Sequence, residues 1–272
     1  MQLGDTTSVR TPGRIALFDV SKSKPFQADV RRPAPRLNEH ANEIRQELRV
    51  SPRVPANITL RPHPTGRPFA GLKVLDLTRI IAGPSSARYF ADHGAEVVKV
   101  ESELRPHGLR LLDPQKGGTQ WNSSHFHGEF NAGKKCVQLN LKHPEDLAIM
   151  KELIAWADVF IENRAPGVLT RLGLDYRVVR ELNPNIIMLS TSLMGQTDPA
   201  SEVAGFGYHA SGMAGFYEVT GWPDRPPHEP WMAYTDVIAP RMIAAMVTAA
   251  IDHRLRTGEG QHIDAAQFEM AL

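Results

Sequence analysis

The carboxylate of Asp236 stands at the mouth of "PWMAYTDVIAPRMIAAMVTAAIDHR" (230–254), a stretch otherwise dominated by apolar residues. Two roles fit an acid there. It can cap a helix, as aspartate commonly does, or it can act as a nucleophile. A carboxylate that attacks a carbonyl splits one hard acyl exchange into easier steps, and a helix N-terminus favours its ionised form by ~0.3–1 kcal/mol. Other reactive types offer less. The single cysteine, Cys136, allows no internal disulfide and no cysteine metal cluster, and reads first as a small buried hydrophobe. The histidines of "HFH" (125–127) lack a carboxylate partner at ligand spacing, so no metal site is expected and the two read as loop residues.

Composition restricts the setting. The chain has 272 residues, 42% hydrophobic and 22% charged, with a net charge of +1. That is ordinary globular composition without the basic footprint of a nucleic-acid binder. No uninterrupted apolar run reaches the ~18–20 residues of a membrane span, because Pro240 and Arg241 break the longest one. The start, "MQLGDTTSVRTPGR", has no signal-peptide core. A reducing cytoplasm is the expected location. Charge is uneven: residues 1–68 carry 12 basic and 6 acidic side chains and nine of the 21 prolines, the remainder 19 basic and 24 acidic. A boundary near Pro68 follows.

Beyond it, strand and helix patterns alternate. "KVLDLT" reads as a buried strand. "GP" opens a helix with Pro84 at its first position, Gly94 ends it, and "AEVVKVE" is the next strand, giving a β-α-β unit with parallel strands. Strands follow at 135–141, 158–163, 185–192 and 262–267. Helices follow at 143–157, 176–183, around 205–216, and from 236 to about 256, with a further one after 267. This predicts a doubly wound α/β sheet with ligands at the carboxyl ends of the strands, in loops 78–83, 101–110 and 162–171. Neither a G-x-G-x-x-G fingerprint nor a Walker loop is present.

Six ordered stretches now carry a resemblance: "GLKVLDLTRIIAGPSSARYFADHGAEVVKVE", "NAGKKCVQLNLKHPE", "ADVFIENRAPGVLTRLGLDY", "LNPNIIMLSTSLMGQTDP", "ASGMAGFYEVTGWPDRPP" and "HRLRTGEGQHIDAAQ". They resemble the family III CoA-transferases, the CaiB/BaiF family, across nearly all of 70–272. The resemblance implies a Rossmann-like large domain and transfer of CoA from an acyl-CoA to a carboxylic acid. The route runs through an aspartyl-acyl anhydride and an aspartyl-CoA thioester. It places the nucleophile at Asp236 and CoA contacts at Ile80, Ile81, Ala82, Asn163, Arg164, Arg171 and Leu172. Coenzyme A is then substrate, with no permanently bound cofactor. Partners other than these substrates, whether membrane or nucleic acid, are not expected. Family members are interlocked dimers, so a homodimer or tandem-repeat pseudo-dimer is expected of the full-length protein.

Two departures stand out. Ser102 occupies a position where some relatives carry a phosphate-binding arginine, with Arg105 as a substitute. "GFG" (205–207) replaces the family's "G-[YH]-D", removing a polar residue from the acyl pocket and pointing to a more apolar or differently oriented acyl group. The same change weighs against an α-methylacyl-CoA racemase, which pairs a histidine at the position of Phe206 with the aspartate. His209, three residues on, reads as structural. A non-catalytic CoA-binding unit is a further alternative. The segment "RRPAPRLNEHANEIRQEL" (31–48) resembles the family's closing stretch. The expected organisation is therefore a C-terminal tail of a preceding unit at 1–50, a Pro-rich linker at 51–68, and a truncated large domain at 69–272 lacking the family's small domain.

Overall fold

The computed structural model describes residues 67–102, 108–111 and 124–272, together with short strands at 2–3, 7–8 and 16–20. Gln2–Leu3 (β1) and Thr7–Ser8 (β2) form a small antiparallel pair. Ala16–Val20 (β3) belongs to the main sheet. The linker at 51–68, but for its last two residues, the stretch at 31–48 that resembles the family's closing segment, and Arg105 lie outside the described residues.

The main sheet is built from apolar runs that need burial on both faces, as parallel strands do. Its members are Lys73–Leu77 (β4), Glu96–Glu101 (β5), Lys135–Gln138 (β6), Val159–Glu162 (β7), Ile187–Ser192 (β8) and Gln261–Ala266 (β9). The spatial order is β3-β9-β8-β7-β4-β5-β6. β4 through β9 run parallel, and β3 adds to β9 antiparallel, pairing Phe18 with Ile263. The chain builds outward from β4 to β6, then returns to place β7 on the other side of β4. This is the doubly wound order, with its switch point between β4 and β7. The expected fold class is observed, with β3 as an antiparallel edge that the sequence pattern did not announce.

Helices cover both faces. Ala82–Asp92 (α1) and Tyr234–Thr257 (α9) lie on one, where Phe90, Ile243 and Val247 pack on Val74, Ile161 and Leu189. Pro144–Trp156 (α4), Val168–Leu172 (α5) and Tyr176–Leu182 (α6) lie on the other, where Met150, Ile154 and Val179 meet Leu75, Phe160 and Met188. Each such fully buried side chain contributes roughly 1.5–3 kcal/mol against leaving it in water. The remaining helices are short: Gly108–Leu111 (α2), His125–Asn131 (α3), Gly207–Met213 (α7), Phe216–Val219 (α8) and Gln267–Ala271 (α10).

Several expectations are corrected. Pro84 is the third residue of α1, not the first; it is still in the turn whose N–H groups lack helical partners. The "HFH" residues open α3 instead of a loop, because Ser124 caps it, its Oγ accepting from the His127 N–H at 3.4 Å. Cys136 is exposed, not buried, since β6 is the sheet's edge; partial desolvation and the Glu101 carboxylate raise its pKa. Helix α9 continues through Pro240 and Arg241 for 24 residues. By length and composition it is apolar enough to cross a membrane, and half of it is buried within this fold.

Candidate active site

Asp236 sits in the first turn of α9, and only 7% of it is exposed. It is not the cap of its own helix. That position belongs to Ala233, which makes no side-chain capping bond. The carboxylate instead turns toward two other elements. The backbone N–H of Gly207, first residue of α7, donates to Oδ2 at 3.3 Å, and Nε2 of Gln267, first residue of α10, donates to Oδ1 at 3.0 Å. Thr235 Oγ1 donates to the Gly207 carbonyl at 3.0 Å, tying the same two helices together. Gly207 permits this approach: a Cβ there would come within 2.8 Å of the Asp236 side chain. Burial raises the carboxyl's pKa, and the Gln267 and Gly207 bonds offset only part of that rise. Desolvation outweighs a first-turn position.

Asp236 lines a cavity of about 390 Å³ with Arg79, Ile80, Ile81, Arg164 and Phe206. A second cavity, of about 530 Å³, holds Arg171, Leu172, Lys142 and Ser102. Arg79 and Arg164 line both. The two spaces therefore meet at a pair of guanidiniums over the switch point. Burial, and then the neighbouring charge of Arg79, lower the pKa of Arg164, so the pair favours an anion between or beside it.

The loops forming this ridge are stitched by Asn163. Its Oδ1 accepts from the Arg79 N–H at 2.7 Å and its Nδ2 donates to the Arg79 carbonyl at 2.8 Å. Its side chain thus braces the site. Arg164 is braced from behind. The Glu162 carboxylate accepts its N–H at 2.7 Å, and Gln196 Nε2 donates to its carbonyl at 3.2 Å. Ile80 takes a left-handed backbone (φ 65°), a strained state for a β-branched residue and one that clusters at functional sites. Ile81 caps α1, and Ala82 is its first residue. Arg171 is exposed in the last turn of α5, a five-residue helix bounded by the left-handed Gly167 and Gly173. The structure thus gathers Asp236, Ile80, Ile81, Ala82, Asn163 and Arg164 at one cavity and Arg171 with Leu172 at the adjoining one.

Sequence reasoning missed Arg79, Gln267 and two hydroxyls. Thr191 Oγ1 and Ser192 Oγ, at the carboxyl end of β8, are buried, line the Asp236 cavity and have no hydrogen-bond partner. A buried hydroxyl left unmade costs free energy that a polar ligand recovers. A position at or just after a strand end was the available signal for all of them: Arg79 follows β4, Thr191 and Ser192 end β8, and Gln267 follows β9. His209 does not face Asp236. Its Nδ1 accepts from the Phe206 N–H at 3.0 Å. Phe206 lines the Asp236 cavity and is 56% exposed.

The buried carboxylate thus sits between neutral donors and opens on a cavity that leads past two arginines. The sequence pattern of CoA-transferase family III matches residues 69–272, and the chain belongs to that family. It is 37% identical to succinate–glutarate CoA-transferase of Agrobacterium fabrum over 207 residues, covering 75% of this chain and 52% of that protein. It is also 37% identical to human succinyl-CoA:glutarate CoA-transferase over 198 residues, covering 73% and 44%. A CaiB/BaiF family protein from Brucella suis has the same fold, with a TM-score of 0.71 and 36% identity over 75% of this chain and 54% of that one. The chain spans about half the length of these relatives.

Proposed function

We propose that this chain forms the nucleophile-bearing half of an enzyme that moves CoA from an acyl-CoA to a carboxylic acid through Asp236. The observation that carries the reading is the buried Asp236 carboxylate, held by Gly207 and Gln267 with no cationic partner among the described residues and open to the cavity beyond. An Asp236 oxygen attacks the thioester carbonyl, and the C–S bond breaks to release CoA thiolate. The thiolate attacks Cγ of the anhydride, and the donor acid leaves. The acceptor carboxylate then attacks the aspartyl thioester, and the returning thiolate takes the new acyl group. Burial serves the first step, because a desolvated carboxylate is the stronger nucleophile. Arg171 and Lys142 are assigned to the phosphates in the larger cavity, with Arg79 and Arg164 at the crossing.

The acids are proposed to be short dicarboxylic acids. Relatives are named for succinate, glutarate and oxalate, and Arg79, Arg164 and the Thr191 hydroxyl give this cavity groups for a second carboxylate. These offset the polar residue lost at Phe206. The racemase alternative is less well supported, because the partners of Asp236 are an amide and a backbone N–H, neither of which shuttles a proton.

Val219, the last residue of α8, and Trp222 and Trp231, between α8 and α9, are all at least 70% exposed. They are assigned to contact with a second family unit, as a homodimer partner or a tandem repeat, in a reducing cytoplasm.

The test uses the longest natural form of the protein, incubated with succinyl-CoA or butyryl-CoA and trapped with hydroxylamine or borohydride. A mass change on the Asp236 peptide is expected with succinyl-CoA and is lost in Asp236→Asn. An unmodified peptide in a CoA-binding protein overturns the nucleophile. Equal labelling by butyryl-CoA overturns the dicarboxylate assignment alone.

A further inference from the structure

Gln267 is held too firmly to be an incidental neighbour of Asp236. Its backbone continues β9 without a loop: Ala266 is in register with Ser192, and the next N–H, of Phe268, donates to the Leu193 carbonyl at 2.9 Å. The side chain is buried, at 8% exposure, and lines the same cavity. The two residues before it, Ala265 and Ala266, are small and buried.

The two oxygens of Asp236 are not equivalent. Oδ2 has only the long 3.3 Å bond from the Gly207 N–H, whereas Oδ1 has the 3.0 Å bond from Gln267 Nε2. The loosely held Oδ2 is the one free to bond a carbonyl carbon. We propose that Gln267 is a catalytic residue of the transferase, its Nε2–H stabilising the negative charge that collects on Oδ1 each time Cγ of Asp236 is attacked. This rests on Asp236 being the nucleophile.

The bond order follows from that assignment. Oδ2 bonds the acyl carbon and the thioester C–S bond breaks. When the thiolate attacks Cγ, the electron pair moves onto Oδ1. The adduct collapses by breaking Cγ–Oδ2, and Oδ2 departs in the donor carboxylate. Oδ1 is the carbonyl oxygen of the aspartyl thioester, still beside Gln267. The acceptor carboxylate attacks Cγ, charge returns to Oδ1, and the C–S bond breaks. Gln267 therefore serves both attacks on Cγ and neither attack on a substrate carbonyl.

A neutral donor suits this cycle better than a lysine or arginine. Asp236 is charged once and covalently neutral three times in each turnover, as donor anhydride, thioester and acceptor anhydride. A cation paired with the free carboxylate would be left buried and uncompensated at each adduct, and would quiet the nucleophile beforehand. An amide pays neither penalty and is already aimed at the oxyanion.

The test compares wild type, Gln267→Leu and Gln267→Glu in the longest natural form, with succinyl-CoA as donor and glutarate as acceptor. Gln267→Leu is expected to lower kcat about 10²–10³-fold, the loss seen for one oxyanion donor. In rapid quench with succinyl-CoA alone it should still release CoA in the first attack but form the aspartyl-CoA thioester slowly. Gln267→Glu sets a second carboxylate against Asp236, so its activity should survive only on the acid side, where the new group is protonated and donates. A kcat within threefold of wild type with unslowed thioester formation in Gln267→Leu overturns the proposal while leaving a labelled Asp236 in place. So does an unshifted pH profile in Gln267→Glu, which serves if the leucine variant fails to fold. Absence of label on Asp236 in wild type removes the underlying nucleophile instead.

Discussion

Asp76 and Asp236 are the same side chain at nearly the same depth, 0% and 7% exposed, yet the fold treats them oppositely. Asp76, on β4, has cations. Lys134 Nζ donates to its Oδ2 at 2.8 Å, and Lys99 Nζ lies 3.5 Å from the same oxygen. Burial works against its charge, but Lys134 and then Lys99 overcome that and bring its pKa to about 2. The lysines are themselves committed. Lys134 also donates to the Pro84 carbonyl and to Asn131 Oδ1, and Lys99 to the Thr78 carbonyl. Thr78 in turn donates to Asp76 through both its N–H and Oγ1. This network fixes loop 78–83 from below and leaves no reactive lone pair. Among the described residues Asp236 has only neutral donors, and its pKa moves up. Burial alone does not make a carboxylate structural or chemical; the charge of its partners decides.

That contrast is broken first by exchanging the acids for amides. Asp236→Asn should abolish turnover, by more than about 10³-fold, while leaving the melting temperature nearly unchanged, because its Oδ1 can accept the Gly207 N–H and its Nδ2 can donate to the Gln267 oxygen once that amide turns over. Asp76→Asn should do the reverse. It leaves two buried lysines uncompensated, at a cost of about 3–5 kcal/mol of stability by denaturant titration. A stable Asp76→Asn protein would show that the lysines find other partners.

The acid limb of the stability curve is the next test. The folded pKa of Asp76, about 2, lies below its ordinary value of 3.8. Its contribution is therefore complete above pH ~4 and lost as pH falls toward 2, amounting to roughly 2 kcal/mol. Glu162 runs the other way. Burial raises its pKa to about 7, against the pull of Ser190 and the Arg164 N–H. The unfolded chain ionises first, so stability should fall by roughly 3 kcal/mol as pH rises from 4.5 to 7. Glu162→Gln should flatten that decline; an unaltered slope in thermal melts across this range would assign it to another group. The smallest effect is expected at Arg88, whose partners Asp92 and Glu129 are exposed. Arg88→Ala should change stability by under ~1 kcal/mol.

How much of this was legible beforehand differs between the two aspartates. The strand bearing Asp76 reads directly from "KVLDL", but its lysines stand 23 and 58 residues away and nothing local announces that they converge. Lys99 lies inside β5, fully buried beside Asp76. Asp236 stands out because an acid opening an apolar helix is locally conspicuous. Its actual neighbours, Gly207 and Gln267, are 29 and 31 residues distant. Asn163 was found for its place after a strand, while its role as a brace emerged only with Arg79, 84 residues earlier, opposite it. Cys136 was misjudged because edge and interior strands carry similar patterns, and strand order is not a local property.

The sequence by itself determined the succession of strands and helices, the turn residues that end them, and the acid most exposed to chemistry. These depend on periodicity and on residues within a turn or two of each other. Only the tertiary structure decided which donors meet Asp236, that Arg79 and Arg164 form one ridge, and that Thr191 and Ser192 open unpartnered into the cavity. Those contacts are made by the sheet order, which sets β7 against β4 and β9 against β8. Desolvation and partner charge, which set the protonation of every buried acid here, exist only once that order has closed.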